Sequence, residues 1–359
     1  MSSIRVGVIG VGNCFAGLYE GIEYHRRNPS HTFVGSVHET IGGYSWEDLE
    51  FVSAFDVGAN KVDKPLHEAV YQYPNMVNWV PDMPESRCTV RESPVLDGVG
   101  LFVENRINPI KGRPVSVLRN DILKELKETK TEVLVNYLPV GSQKATEFWA
   151  DVALESRCAF VNCIPVFVAS HPDWEAKFRA GGTPIVGDDV KGVIGATIVH
   201  RTLARLCDER GTRIERTYQI NVGGNTDFLN MKEQERLQSK KVSKTESVQS
   251  QLRQRLPEDN IYVGPSDFIP FLGNTKLMFM RIEGTMWADR PYNLEVRLEV
   301  DDKANSAAIV VDAVRCAKLA MDRGEAGALV GPSAYLMKHP PRQFPDPQAR
   351  KLFEEYVSD

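Results

Sequence analysis

Several features that would assign a chain to a class at once are missing from this sequence. The six cysteines (Cys14, Cys88, Cys158, Cys163, Cys207, Cys316) form no CxxC pair and no Cys/His group at zinc spacing. Free thiols in a reducing cytoplasm are the simplest reading, although an even number leaves disulfides open. No run of about 18 apolar residues occurs, which excludes a membrane-spanning helix. The N-terminus enters a strand-like segment without a basic region or cleavage signal, so a cytoplasmic location is expected. Positive charge is not in excess, and the net charge is −5. A general drive towards nucleic acid or an anionic membrane is therefore lacking, and any anionic ligand must be held by a local cluster of cations.

What is present is a globular composition, 42% hydrophobic and 25% charged, on a chain of 359 residues that exceeds one ordinary core. Residues 4–9, 51–55, 133–138, 159–162 and 184–187 read as short apolar strands. Helical patterns cover 16–24, run from about Val117 towards the third strand, and cover 146–156. Strands alternating with helices predict an α/β fold with a doubly wound parallel sheet of the Rossmann type. Residues 60–115 are proline-rich and weakly periodic, which predicts an insertion or a partner-contacting excursion. Beyond Gly195 the pattern changes. A helix over 196–210, a strand over 213–221 and a polar helix over 231–238 are followed by a lysine-bearing loop and a helix rich in Gln and Arg. Residues 277–283 and 294–300 alternate apolar with polar side chains, as antiparallel strands with one wet face do. A long amphipathic helix over 306–323 and a last helix complete the chain. The expected division is a dinucleotide-binding domain over 1–195, an inserted α+β domain over 196–305, and helices over 306–359 returning to the first.

Gly10–Val11–Gly12–Asn13–Cys14 follows the first strand and opens a helix. In that context the first glycine permits a tight turn and the second lets backbone approach a pyrophosphate, which the helix N-terminus attracts. Phe15 stands where the usual fingerprint nears its third glycine, and Gly17 lies two residues further on. Asp56 ends the next strand, where a carboxylate can accept hydrogen bonds from an adenosine ribose and favour NAD over NADP; a helix cap is the other reading of the same position. The wide spacing to Asp56 is accounted for by an insertion around 28–45.

The stretch Asn221–Met231 packs three amides (Asn221, Asn225, Asn230) and Asp227 around a Gly223–Gly224 hinge. Ser239–Thr245 follows, in which Lys240 and Lys244 are spaced to share a helical face and to focus on one anion. A polar turn before a solvated basic helix has the same spacing. Together with the glycine turn, with Tyr137–Leu138–Pro139–Val140–Gly141–Ser142, Gly187–Asp188–Asp189–Val190–Lys191 and Ser333–Ala334–Tyr335–Leu336–Met337–Lys338, these segments resemble the inositol-1-phosphate synthase family in its short bacterial and archaeal form. The resemblance runs over essentially the whole chain.

That resemblance implies a Rossmann domain with an inserted catalytic and oligomerisation domain, tightly held NAD, and a homotetramer. It implies conversion of glucose 6-phosphate into inositol 1-phosphate by oxidation at C5, enolisation at C6, attack on the C1 aldehyde, and return of the hydride to C5. By position it places cofactor contacts at Gly10, Gly12, Asn13, Cys14, Asp56, Tyr137, Pro139 and Asp188. Lys240 and Lys338 fall to proton transfer and oxyanion stabilisation at C5, and Lys244 and Lys276 to the phosphate and the C1 oxygen. Asp189, Asp227 and Asp302 would orient these ammonium groups, and Asn221 and Asn225 would hydrogen-bond substrate or nicotinamide. Aspartates and asparagines without fixed spacing do not specify a metal, so a monovalent or divalent cation stays open. Two segments depart from the family. Gly192–Val193 follows Lys191 where the family continues Ser-Gln or Ser-Gly, and Arg91–Glu92–Ser93–Pro94 puts a carboxylate near the expected cofactor. An ordinary NAD-dependent sugar-phosphate dehydrogenase, a related cyclase with a different substrate, and a non-catalytic NAD-binding protein remain the alternatives.

Overall fold

A computed structural model describes residues 3–358, the side chains of Gln234, Gln238, Pro265 and Ser266 excepted. Its strands are β1 (Ile4–Ile9), β2 (Leu49–Asp56), β3 (Val90–Glu92), β4 (Val133–Asn136), β5 (Ala159–Asn162), β6 (Pro184–Val186), β7 (Arg213–Gly223), β8 (Ile261–Phe268), β9 (Thr275–Met286), β10 (Arg290–Asp301) and β11 (Gly327–Ala328). Its helices are α1 (Asn13–Arg27), α2 (Leu66–Ala69), α3 (Glu104–Ile107), α4 (Val115–Glu128), α5 (Gln143–Ser156), α6 (Pro172–Ala180), α7 (Ala196–Glu209), α8 (Thr226–Asn230), α9 (Gln238–Gln249), α10 (Ala304–Arg323), α11 (Val330–Leu336) and α12 (Asp346–Ser358).

Short strands rich in β-branched residues are apolar on both faces, so they need cover on both. They find it in a parallel sheet of order β11-β6-β5-β4-β1-β2-β3. In β4, Val133 and Val135 pack with Leu18 and Ile22 of α1 and with the apolar stripe of α10, while Leu134 points to α4 and α5. This is the expected doubly wound α/β arrangement. Because β1 lies between β2 and β4, the strand order reverses there, and a crevice opens beyond the C-terminal ends of β1 and β4. Gly10 lies in that crevice with φ 91°, and a β-carbon there would stand 3.0 Å from the Tyr137 carbonyl oxygen. Both the backbone angle and the close approach require glycine.

The second sheet has the order β10-β9-β7-β8, antiparallel except for the β7/β8 pair. Met278, Met280 and Ile282 turn inward onto Ala204 of α7 and Val248 of α9, and Phe279 between them is exposed. Several details differ from the sequence reading. The polar helix expected over 231–238 shrinks to a turn and a short 3-10 helix over Gln234–Leu237. It is preceded by α8, started by the Asn225 side chain, which accepts the N–H groups of Asp227 and Phe228. The lysine-bearing segment is helical rather than a loop. Its buried face is Ser243, Lys244, Ser247 and Val248, so it carries little apolar periodicity to read. The Gln- and Arg-rich residues 250–256 lie outside it. Residues 60–115 contribute β3 to the edge of the first sheet, and Lys61, Asn75 and Ser93 from this segment wall the crevice. β3, β8 and β11 were not anticipated.

Candidate active site

The crevice is a cleft of about 890 Å³ lined by Gly10, Gly12, Asn13, Cys14, Asp56, Tyr137 and Pro139 among others. Gly12 caps the N-terminus of α1, and a β-carbon built on it meets nothing within 4 Å, so it would project into open space. Three hydroxyls on the lining, those of Ser93, Tyr137 and Thr226, are buried without a hydrogen-bond partner among the described residues. Bare backbone at a helix N-terminus beside orphaned hydroxyls fits a dinucleotide, which brings a pyrophosphate and many polar atoms. The Asp56 carboxylate accepts from the N–H groups of Val11 (2.7 Å), Val57 and Gly58 (both 2.8 Å), and so holds the glycine turn against β2. Asp56 therefore caps no helix: it ties the backbone of the glycine turn to the end of β2 and lines the cleft. The Asn13 side-chain oxygen accepts the Met76 N–H at 2.6 Å, which ties the 60–115 segment to the turn. Lys61, missed from sequence, donates to the Val11 carbonyl at 2.7 Å and to Asn75 at 3.0 Å, and burial pushes its ammonium below the ordinary lysine range. Glu92, the departure near the cofactor, turns away from the cleft onto Arg113 at 2.9 Å.

A second chamber of about 1040 Å³ adjoins the first, and Cys14, Tyr137, Leu138 and Asp227 line both. Six lysines (Lys191, Lys240, Lys244, Lys276, Lys303, Lys338) and three aspartates (Asp189, Asp227, Asp302) line it, so the chamber favours an anion. Local structure explains the convergence. Residues 188–191 pair with 336–339 through backbone hydrogen bonds, which brings the Lys338 ammonium to the Asp189 carboxylate at 2.9 Å. The hydroxyl of Ser243 donates to the other Asp189 oxygen at 2.7 Å, and Lys240 and Lys244 flank it on α9. Pairing of β9 with β10 sets Lys276 beside Asp302, at 3.1 Å. Asp227 sits on the first turn of α8.

Charges in this chamber are tuned by burial first. Burial pushes the Lys240 ammonium down and Lys338 and Lys276 push it further, with Asp189 and Asp227 opposing. Lys244 falls well below the usual range from burial and then from Lys240, Lys276 and Lys338. For Asp189 burial works upward, but Lys338 and Lys240 outweigh it and hold the carboxylate ionised. Asp302 is held far below the usual range because Lys276 and Lys303 overcome its burial. A chamber of this kind stabilises developing oxyanions, and a lysine with lowered affinity for its proton can also transfer one.

Not every expected residue faces these spaces. Asp188 lines neither; it is fully buried and accepts from Asn162 and from the N–H groups of Val168, Ala169 and Ser170, with its carboxyl raised by burial to about 6. Asn225 also lines neither, since its amide caps α8 and donates to Asp302 at 3.2 Å. Asn221 lines the chamber while donating to the Gly264 carbonyl at 2.7 Å. Gly192 lines the chamber too, and a β-carbon on it would meet the Asn305 side chain at 2.8 Å. Lys191 and Lys303 were missed. Lys191 closes the Gly187–Asp188–Asp189–Val190–Lys191 segment, and Lys303 follows an acidic pair at a helix start, where a cap is the ordinary reading. Among the described residues no group of three or more His, Cys, Asp or Glu is placed to hold a metal ion.

Fold and site together define a Rossmann-type enzyme acting on an anionic substrate. A model of the myo-inositol-1-phosphate synthase family matches residues 195–303. The inositol-3-phosphate synthase of Corynebacterium glutamicum is 47% identical, the alignment covering 99% of this chain and 98% of that protein. That of Mycobacterium tuberculosis (strain H37Rv) is 45% identical over 99% of this chain and 96% of its own length. Among solved structures, Ari2 has a TM-score of 0.81 at 30% identity and covers 99% of both chains. The Caenorhabditis elegans inositol-3-phosphate synthase shares the fold, with a TM-score of 0.76 at 15% identity over 99% of this chain and 84% of that one. The chain belongs to the myo-inositol-1-phosphate synthase family.

Proposed function

We propose that this protein converts glucose 6-phosphate into inositol 1-phosphate, an isomerisation by intramolecular carbon–carbon bond formation. The observation that carries the reading is a lysine-lined chamber that shares Cys14, Tyr137, Leu138 and Asp227 with the cleft at the glycine turn. Gly10, Gly12, Asn13 and Tyr137 would hold NAD, which when bound supplies a reversible hydride acceptor. On the substrate, a C5 ketone acidifies the C6 protons; loss of one gives an enolate, C6 attacks the C1 aldehyde, and the C1 oxygen takes up a proton. Each oxygen that gains charge needs a cation nearby. Lys240 and Lys338 are assigned to the C5 oxygen and its proton, with Asp189 fixing Lys338. Lys244 and Lys276 are assigned to the phosphate and the C1 oxygen.

The chemistry is redox-neutral, so hydrogen removed from C5 returns to C5. Glucose 6-phosphate deuterated at C5 is expected to give product that keeps the label at that carbon. Wash-out of the label would sink the reading.

Lys244 makes substrate binding depend on pH. Its charged form exists below its lowered pKa and is lost as pH rises through it. A dianionic phosphate restores that charge, so binding takes up protons and KM climbs with rising pH. Calorimetry in buffers of different ionisation enthalpy reads the uptake, and Lys244→Met should abolish it. Proton release, or a flat KM, would contradict the assignment.

The separation of the two sheets supports a catalytic unit over 196–305 inserted into a dinucleotide-binding one, with its second boundary two residues inside α10. The open face of the second sheet carries Tyr218, Tyr262 and Phe279 exposed, with Arg216 and Arg281 against Glu283 and Glu295. Aromatic and charge-balanced, that face supports a homotetramer. The described residues contain no helix long and apolar enough to cross a membrane. All six cysteines are free, which suits a cytoplasmic setting.

A further inference from the structure

We propose that Lys303 is a positioning residue of this reaction: it clamps Asp227 and Asp302 at the seam between the dinucleotide cleft and the lysine chamber and, through Asp302, fixes Lys276. The inference rests on the glucose 6-phosphate reading for its kinetic arm only.

The geometry is that of a tie between three parts of the chain. The Lys303 side chain is 1% exposed, and its ammonium donates to Asp227 at 2.8 Å, to Asp302 at 3.4 Å and to the Cys14 sulfur at 3.3 Å. Cys14 belongs to the first turn of α1, Asp227 to α8, and Asp302 to the segment after β10. The stem of the lysine lies on α1 as well, since a β-carbon on Gly17 would stand 3.0 Å from the Lys303 β-carbon. Two of the four residues shared by both cavities, Cys14 and Asp227, are therefore held by this one ammonium.

Asp302 shows what the clamp does for the chamber. One of its oxygens accepts from Lys276 at 3.1 Å, and the other faces Lys303 at 3.4 Å and Asn225 at 3.2 Å. With both oxygens engaged, the carboxylate plane is fixed and Lys276 is held in one direction. Removing Lys303 leaves the two carboxylates facing fewer cations, Lys240 for both and Lys276 for Asp302, so their proton affinity must rise. Once Asp302 is protonated it no longer holds Lys276. Lys303 itself is not suited to moving a proton. Burial lowers its pKa, but Asp227 and Asp302 outweigh that and keep it charged, opposite to Lys240 and Lys244.

A lysine that merely anchors the start of α10 would give a loss of stability and activity independent of pH. The clamp gives a pH-dependent one. In Lys303→Gln the acidic limb of the kcat profile should move up by about one pH unit or more, with kcat near neutrality down by about tenfold. Lys303→Arg, which keeps the charge, should return the limb to its wild-type position. Should the Gln variant not fold, Lys303→Ser admits water beside both carboxylates and is expected to show the same displaced limb.

The second readout needs no turnover. At low pH the two carboxylates are protonated in the variant and the missing cation matters little. As pH rises they must ionise without it, so the Tm deficit against wild type should widen from pH 4 towards pH 7. A fall in kcat with an unmoved acidic limb, or a Tm deficit equal at every pH, overturns the clamp. If wild-type protein leaves glucose 6-phosphate untouched, the substrate reading fails, while the Tm curves still decide the role of Lys303.

Discussion

Lys240→Ala is expected to lower kcat by about 10²–10³-fold, the loss seen when one oxyanion donor is removed from a preorganised site. Lys240 lines the chamber, not the dinucleotide cleft, so the variant should keep its NAD. Among the described residues no carboxylate lies within ion-pairing distance of it, so its removal leaves no buried charge without a partner. Folding stability should therefore stay near that of wild type. Lys338→Ala tests the same chemistry with a different structural consequence. It strips the ion pair from Asp189, whose side chain is only 4% exposed. Breaking a buried pair from one side costs on the order of 3–5 kcal/mol. Both variants should be nearly inactive, and only the second should unfold at markedly lower denaturant. A Lys240→Ala variant that keeps full turnover would contradict the assigned role and favour a protein that binds NAD without using it.

Gly12→Val is expected to weaken NAD binding by at least about 100-fold, ~3 kcal/mol, while leaving the fold intact. The apo protein has room for the change, since nothing lies within 4 Å of a β-carbon there. That room is the space the pyrophosphate would need, because the second glycine of such a turn exists to let backbone reach it. Gly10→Ala should behave differently. With φ 91° and the Tyr137 carbonyl oxygen 3.0 Å away, a methyl group there strains the apo backbone itself. Titrating NAD against both proteins, alongside thermal unfolding, separates loss of a binding surface from loss of the fold. Undiminished affinity in Gly12→Val would place the cofactor elsewhere.

Much of the α/β framework was legible because its signals are local. β1, the glycine turn and the apolar runs of β2, β4, β5 and β6 are contiguous in sequence, and β1, β4 and β6 are rich in valine and isoleucine. β8 was hidden because Gly264 and Pro265 interrupt it and its partner β7 is parallel, so no hairpin turn announces the pairing. β11 is two residues long and gains its meaning only from β6. The lysine helix is hard to see in the sequence because its inward face, Ser243, Lys244, Ser247 and Val248, carries a single apolar side chain, too little for hydrophobic periodicity to detect. At the site, the lysines of the family motifs were legible as a set, and the structure brings Lys240, Lys244, Lys276 and Lys338 to one chamber. What each polar side chain is bonded to was not. Asp188 and Asn225 satisfy backbone and neighbouring side chains, and Lys61 and Lys303 become site residues only through contacts far along the chain, with Val11 and Cys14.

The direct test is incubation of the purified protein with glucose 6-phosphate and NAD, followed by phosphorus NMR and by absorbance at the NADH band in the same sample. A borrowed and returned hydride predicts a new phosphomonoester signal from a cyclitol, growing through many turnovers with no net NADH. NADH accumulating in step with substrate consumption, or a glucose 6-phosphate signal that never changes, would contradict it.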